Sequence, residues 1–215
     1  WDYVKQCLDT GWVSSAGKYV DLFEKRISEY TKAKYAIACV NGTSAIQLSL
    51  LLSGLKPDDE VLVPTITFIA PVNAVYYNGA VPIFMDCDDY YNIDIEKTID
   101  FIRNETKLIN VKSSETNNDI PITINKKTSK RVSAIIPVHV WGNAVWLDEL
   151  LSLCLERNIS VVEDASESLG TFYSKGNNFE KHSGTLGKLG CLSFNGNKII
   201  TAGGGGMILT NDKKL

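Results

Sequence analysis

The stretch AIIPVHVWGNAVWLDELLSLCLERNISVVED, Ala134 to Asp164, decides the fold. It opens on an apolar, partly β-branched run from Ala134 to Val140 that has the length of a buried strand. Leu147, Leu150, Leu151 and Cys154 then fall at i, i+3, i+4 and i+7, the spacing of one helix face. Ile159 to Glu163 is a second apolar run, ending at Asp164. Strand, amphipathic helix and strand in succession make a crossover, which lays the two strands parallel.

The same alternation extends outward. Upstream, Tyr19, Leu22, Phe23, Arg26, Ile27 and Tyr30 give a mostly apolar helical face. Ala36 to Val40 reads as a buried strand, broken by Asn41-Gly42-Thr43-Ser44, and Ala45 to Leu52 as a buried helix. Glu60 to Pro64 is a strand. After Thr65-Ile66-Thr67-Phe68 a helix runs to Tyr77, stopped by Asn78-Gly79. Val81 to Asp86 is a third strand. Downstream, Cys191 to Phe194 and Met207 to Thr210 are strands separated by a glycine-rich turn. The pattern predicts an α/β fold with a mostly parallel sheet. The stretch from Asn104 to Arg131 is polar, and Leu108 to Val111 and Ile120 to Ile124 flank Ser113 to Asp119 as a surface hairpin would. A disordered insertion is the alternative there.

The 215 residues are enough to bury a core in one domain. A net charge of −3 supplies no basic field for nucleic acid. No apolar run is long enough to cross a bilayer, and no signal peptide is visible. The first residue is Trp1 rather than Met, so the start of the polypeptide is expected upstream. Cys7, Cys39, Cys87, Cys154 and Cys191 are widely spaced and show no metal-ligand spacing. Reduced, largely buried thiols and a cytoplasmic location are expected. With His139 and His182 the only histidines, no metal site is expected.

Ligands of such folds gather at the carboxyl ends of the strands, and four segments are expected there. Asn41-Gly42-Thr43-Ser44 opens a helix, whose first turn offers free N–H groups and a positive dipole end to an anion. The plain reading is helix capping by Ser or Thr. Asp164 ends a buried strand, poised to pair with a buried cationic nitrogen or to cap the next turn. Lys198, in Ser193-Phe194-Asn195-Gly196-Asn197-Lys198, precedes Ile199-Ile200 and a glycine run. Burial of a lysine frees its amine to attack a carbonyl, although most lysines are solvated. Phe68 sits where an aromatic ring could stack on a flat cofactor, although core packing is the commoner role. Phosphate cradle, ring stacker, pyridinium partner and reactive lysine together are the parts of a pyridoxal-phosphate (PLP) site.

These segments resemble the DegT/DnrJ/EryC1/StrS family, PLP-dependent sugar aminotransferases of fold type I. The likeness runs from Gly11-Trp12-Val13-Ser14 through the Asn-Gly-Thr-Ser turn, Asp58-Asp59-Glu60-Val61, Pro64 to Phe68, Pro137-Val138-His139 and Glu163-Asp164-Ala165-Ser166-Glu167-Ser168. It ends in Ser193-Phe194, Lys198 and Gly203 to Gly206. The resemblance implies a three-layer α/β/α large domain over residues 1–215, with 104–131 as an insertion. It also implies a smaller C-terminal domain that this chain, stopping at Leu215, largely lacks. Lys198 would hold PLP as a Schiff base and shuttle protons. Asp164 would pair with the pyridine nitrogen, and Phe68 would stack on the ring. Gly42, Thr43, Ser44 and Ser193 would hold the phosphate. Glu167 would lie near the cofactor's phenolic oxygen, where the family often has Gln or His; a carboxylate there must be protonated or turned away. Trp12 and Ser14 would approach the substrate. The motifs look most like the legionaminic-acid-type branch. The implied reaction moves an amino group from glutamate to a nucleotide-linked 4-keto-6-deoxy sugar, in a homodimer, to make a 4-amino sugar for surface polysaccharide or nonulosonic acid. Two alternatives remain: a PLP-dependent sugar dehydratase, although those enzymes typically carry His in place of the lysine, and an incomplete, non-catalytic fragment.

Overall fold

The computed structural model describes residues 1–112 and 118–215. In chain order its elements are α1 (Asp2–Thr10), α2 (Lys18–Thr31), β1 (Tyr35–Cys39), α3 (Gly42–Leu52), β2 (Glu60–Pro64), α4 (Ile69–Tyr77), β3 (Val81–Met85) and α5 (Ile95–Asp100). Then follow β4 (Thr106–Lys112), β5 (Asp119–Asn125), β6 (Val132–Ile135), α6 (Asp148–Glu156), β7 (Ser160–Asp164), β8 (Leu189–Ser193) and β9 (Gly206–Thr210). Seven strands form one sheet in the order β1-β9-β8-β7-β6-β2-β3. Neighbours from β8 to β3 are all parallel, while β9 runs antiparallel to both β1 and β8. β1 therefore points the same way as the parallel strands, and the carboxyl ends of six strands share one edge.

Why this is a three-layer molecule follows from the period of two along each strand. Val61 and Val63 face one apolar cluster, with Ala45, Ile46 and Leu50 of α3 and Val72 and Val75 of α4. Leu62, between them, faces the opposite cluster, with Ile99 of α5 and Leu150, Leu153 and Cys154 of α6. Ile135 and Val161 join the second cluster, Ala134 and Val162 the first. A third cluster seats Ile27 of α2 on Leu192, Met207 and Leu209. Strands covered on both faces carry continuous apolar runs, which is why β2, β8 and β9 are buried at every position.

The structure corrects several boundaries. β1 is an edge strand rather than a buried one: only β9 flanks it, and Tyr35 and Ile37 are exposed on one face while Ala36 on the other packs in the third cluster. β6 stops at Ile135, short of Val140, since Pro137 has no N–H for a ladder; Val140–Gly142 forms a short 3-10 turn instead. Among the thiols, all free, only Cys154 and Cys191 are buried. Burial pushes the Cys154 thiol up to about 12, which leaves it protonated and inert. α1 carries no buried residue, so its apolar residues show no inward face.

β4 and β5 pair antiparallel from Thr106 opposite Asn125 to Lys112 opposite Asp119. Part of the expected turn, 113–117, lies outside the described residues. This hairpin is tied to the body by polar bonds: Asn125 Nδ2 donates to buried Glu60 Oε2 at 2.8 Å, and Asn158 Nδ2 donates to the Pro121 carbonyl at 2.6 Å. Among the described residues no helix is long and apolar enough to cross a membrane.

Candidate active site

The loops that follow β1, β2, β7 and β8 at the shared edge carry Gly42, Phe68, Glu167 and Lys198. Lys198 is no solvated surface lysine: its side chain is 13% exposed. Its Nζ lies 3.2 Å from Glu167 Oε1 and 6.0 Å from the centroid of the Phe68 ring. That ring is 71% exposed, which overturns a core-packing role. In the same turn, Thr67 Oγ1 is buried with no hydrogen-bond partner among the described residues.

Asp164 closes β7 and is buried. Its Oδ1 accepts the Ser166 N–H at 3.0 Å, so it caps the next turn. Burial pushes its carboxyl above the ordinary carboxylate range, against the opposing pull of the Ser166 hydrogen bonds and the more distant Lys198 amine. A carboxyl short of counter-charge in a dry place suits a cationic ring nitrogen.

The start of α3 is capped by Asn41, whose Oδ1 accepts the Ser44 N–H at 2.8 Å; the cap is the asparagine, not a hydroxyl. The hydroxyls of Thr43 and Ser44 have no protein partner among the described residues. Gly42 is packed on β8 and on the turn after β7. A Cβ there would stand 2.9 Å from Ser193 Cβ and 3.1 Å from Ser166 Oγ. The helix start and two other hydroxyl-bearing segments, those of Ser166 and Ser193, thus come together closely.

Glu167 is partly exposed and tied at both oxygens: one receives Lys198, and the other accepts the Trp141 N–H at 3.1 Å. Trp12 and Ser14 are not part of this cluster. They line a groove of 1670 Å³ with Val40, Ile200 and Gly204, and none of Lys198, Asp164, Phe68 or Glu167 lines it. That groove is therefore not where the titratable groups meet. Among the described residues no cluster of His, Cys, Asp and Glu suits a metal ion.

Ser166 is the neighbour the sequence did not single out, and its alternation with Asp164 was the available signal. Glu163 and His139 form a supporting layer beneath. Buried Glu163 accepts the N–H groups of Gly184, Leu186 and Gly187 at 2.9, 2.7 and 2.6 Å, and lies 3.0 Å from His139 Nε2. His139 Nδ1 accepts the Val145 N–H at 3.1 Å, so Nε2 carries the proton that Glu163 receives. Burial alone would push this carboxyl up, but the bonds from His139, Gly187 and Gly184 hold it below its usual range.

A mostly parallel α/β sheet whose carboxyl edge gathers a shielded lysine amine, a buried carboxyl, an exposed aromatic ring and a helix start defines a class, that of proteins built around a bound cofactor. Within it, the chain belongs to the DegT/DnrJ/EryC1/StrS aminotransferase family, whose sequence profile matches residues 1–215. It is 41% identical to the GDP-perosamine synthase of Caulobacter vibrioides over 215 residues, all of this chain and 50% of that protein. The crystal structure of a family aminotransferase from Brucella abortus superposes with a TM-score of 0.81 at 30% identity, over 98% of this chain and 50% of that one. The GDP-4-keto-6-deoxy-D-mannose-3-dehydratase of E. coli, solved with bound hydrated PLP, superposes with a TM-score of 0.74 at 26% identity, over 98% and 48%. The chain spans about half the length of the relatives it matches.

Proposed function

We propose that this chain is the PLP-binding part of a nucleotide-sugar aminotransferase that uses glutamate as donor and acts as a homodimer. The observation that carries the reading is Lys198: a shielded amine between a carboxylate and an aromatic ring, on the sheet edge that also bears buried Asp164. The cradle fits the cofactor. Gly42 lets Ser193 and Ser166 come close to the α3 start, Thr43, Ser44 and Ser193 supply hydroxyls, and Asp164 supplies the carboxyl for a ring nitrogen. When bound, PLP supplies an electron sink that takes an amino group from one substrate and gives it to the other.

The chain's own groups do the rest. Lys198 would hold the cofactor through Nζ and, when displaced by substrate, carry a proton to and from the substrate carbon. Asp164 would hold the proton on the ring nitrogen. Phe68 would cover one ring face, and the α3 start would bind the phosphate dianion. Glu167, seated on the Trp141 N–H, would orient the Lys198 amine and take up its charge. The acceptor is a nucleotide-linked 4-keto-6-deoxy sugar. The name of the Caulobacter relative supports GDP as the nucleotide and a 4-amino sugar as product, in place of the legionaminic type. Lys198 itself speaks against the dehydratase alternative.

Incubation with PLP is expected to turn the protein yellow, and borohydride followed by mass mapping to place a pyridoxyl group on Lys198. Lys198→Ala abolishes both signals. A wild-type protein that stays colourless and untagged ends the proposal. Bleaching of the visible band by glutamate then separates a turnover-competent site from one that only holds the cofactor.

A further inference from the structure

Two exposed aromatic side chains at the same sheet edge have no role in the site as described. Tyr91 follows β3 and Trp141 follows β6. Their rings pack edge to face, 5.4 Å between centroids and 65° between planes, while remaining 49% and 70% exposed. Both backbones are left-handed, with φ 66° and 50°. Bulky residues rarely adopt that region, and where they do, the surrounding structure must hold them.

Here it does. Buried Asn92 ties the two loops together: its Oδ1 accepts the Val140 N–H at 3.2 Å, and its Nδ2 donates to the Asn143 carbonyl at 3.3 Å. Asp88 Oδ1 fixes the first loop by accepting the N–H groups of Tyr90 and Asn92 at 2.8 and 2.9 Å. Trp141 is pinned through its own N–H to Glu167, whose other oxygen receives Lys198. The pair is therefore rigid, solvent-facing, and one carboxylate away from the amine. Residues so exposed contribute little to the core, whereas a rigid aromatic shelf is well made for stacking a ring.

We propose that Tyr91 and Trp141 form the sugar-ring subsite of the amino acceptor, an inference that rests on the proposed function. The reacting carbon belongs to the sugar, and that carbon must reach Lys198. The nucleobase lies beyond two phosphates. A shelf joined to Lys198 through a single carboxylate meets the sugar, whose C–H faces are apolar.

The test is calorimetric titration of the PLP-loaded chain with GDP and with GDP-mannose, a sugar nucleotide with no keto group to react. Wild type is expected to bind GDP-mannose more tightly than GDP. Trp141→Ala and Tyr91→Ala are expected to weaken GDP-mannose about tenfold, leave GDP unchanged, and so erase the difference. Trp141→Phe and Tyr91→Phe restore most of it. Equal weakening of both ligands would assign the pair to the base and overturn the proposal, as would no weakening of either. A variant that changes oligomeric state while keeping the preference makes the pair a contact between copies, which also overturns it. Wild type that takes up PLP yet shows no preference ends this inference alone. Wild type that takes up no PLP ends the functional reading beneath it as well.

Discussion

Gly42 and Asp164 are the residues at which the cradle can be tested atom by atom. Gly42→Ala would bring a methyl within 2.9 Å of Ser193 Cβ, so one of the two segments must shift. The expected outcome is a tenfold or greater loss of PLP affinity in absorbance titration, against a small change in melting temperature. Asp164 carries a charge that the cofactor-free fold disfavours. Its folded pKa lies above its unfolded value, so its contribution to stability is fully present below the unfolded pKa and is lost as pH rises through the folded one. Asp164→Asn removes that loss. Without PLP the variant should melt higher than wild type at pH 7, with the gap closing as pH falls toward about 4. PLP should raise the melting temperature of wild type but not of Asp164→Asn. A variant that melts lower than wild type across the whole range would show the carboxylate to be stabilising instead.

At the level of elements, the connection from β7 to β8 spans residues 165–188 without a helix, unusual for a parallel crossover. Polar anchors hold it. Glu163 accepts three of its backbone N–H groups, Tyr173 donates its hydroxyl to the Val145 carbonyl at 2.8 Å, and Ser183 Oγ donates to Ser168 Oγ at 2.8 Å. Glu163→Ala leaves those donors and His139 buried without an acceptor. It should cost about 3 kcal/mol, read as a lower urea midpoint. Because the carboxyl is held below its usual range, its contribution is present above the unfolded pKa and fades as pH falls through the lower folded value. Wild type should therefore lose stability in acid more steeply than Glu163→Ala. The strands and helices around this connection were legible from periodicity, but the connection was not, since its order comes from partners distant in sequence.

Across the whole molecule, order should follow burial. β2, β8 and β9 are buried at every position, whereas α1 buries none and is held by contacts such as Tyr3 on Tyr19, 5.0 Å between centroids. Hydrogen exchange should protect the β2, β8 and β9 amides most and release those of α1 first. Removing residues 1–10 should move the melting temperature by only a few degrees. Protection of α1 equal to that of β8 would contradict this ranking.

The layers and the mostly parallel sheet were written in the sequence, because a period of two or of 3.6 is a local property that burial enforces residue by residue. Lys198, Asp164, Phe68 and the Asn-Gly-Thr-Ser turn could be named before any coordinate, since each ends or follows a strand and all strands of the seven-stranded sheet but β9 end at one edge. Only the tertiary structure decided what each side chain faces. It gave the capping of α3 to Asn41, set Glu167 between Lys198 and the Trp141 N–H, brought Ser166 beside Gly42, and moved Trp12 and Ser14 to a different groove. It also joined Tyr91 to Trp141 across 50 residues of chain. Such contacts depend on loop paths set by buried hydrogen bonds between distant segments, and no local pattern encodes them.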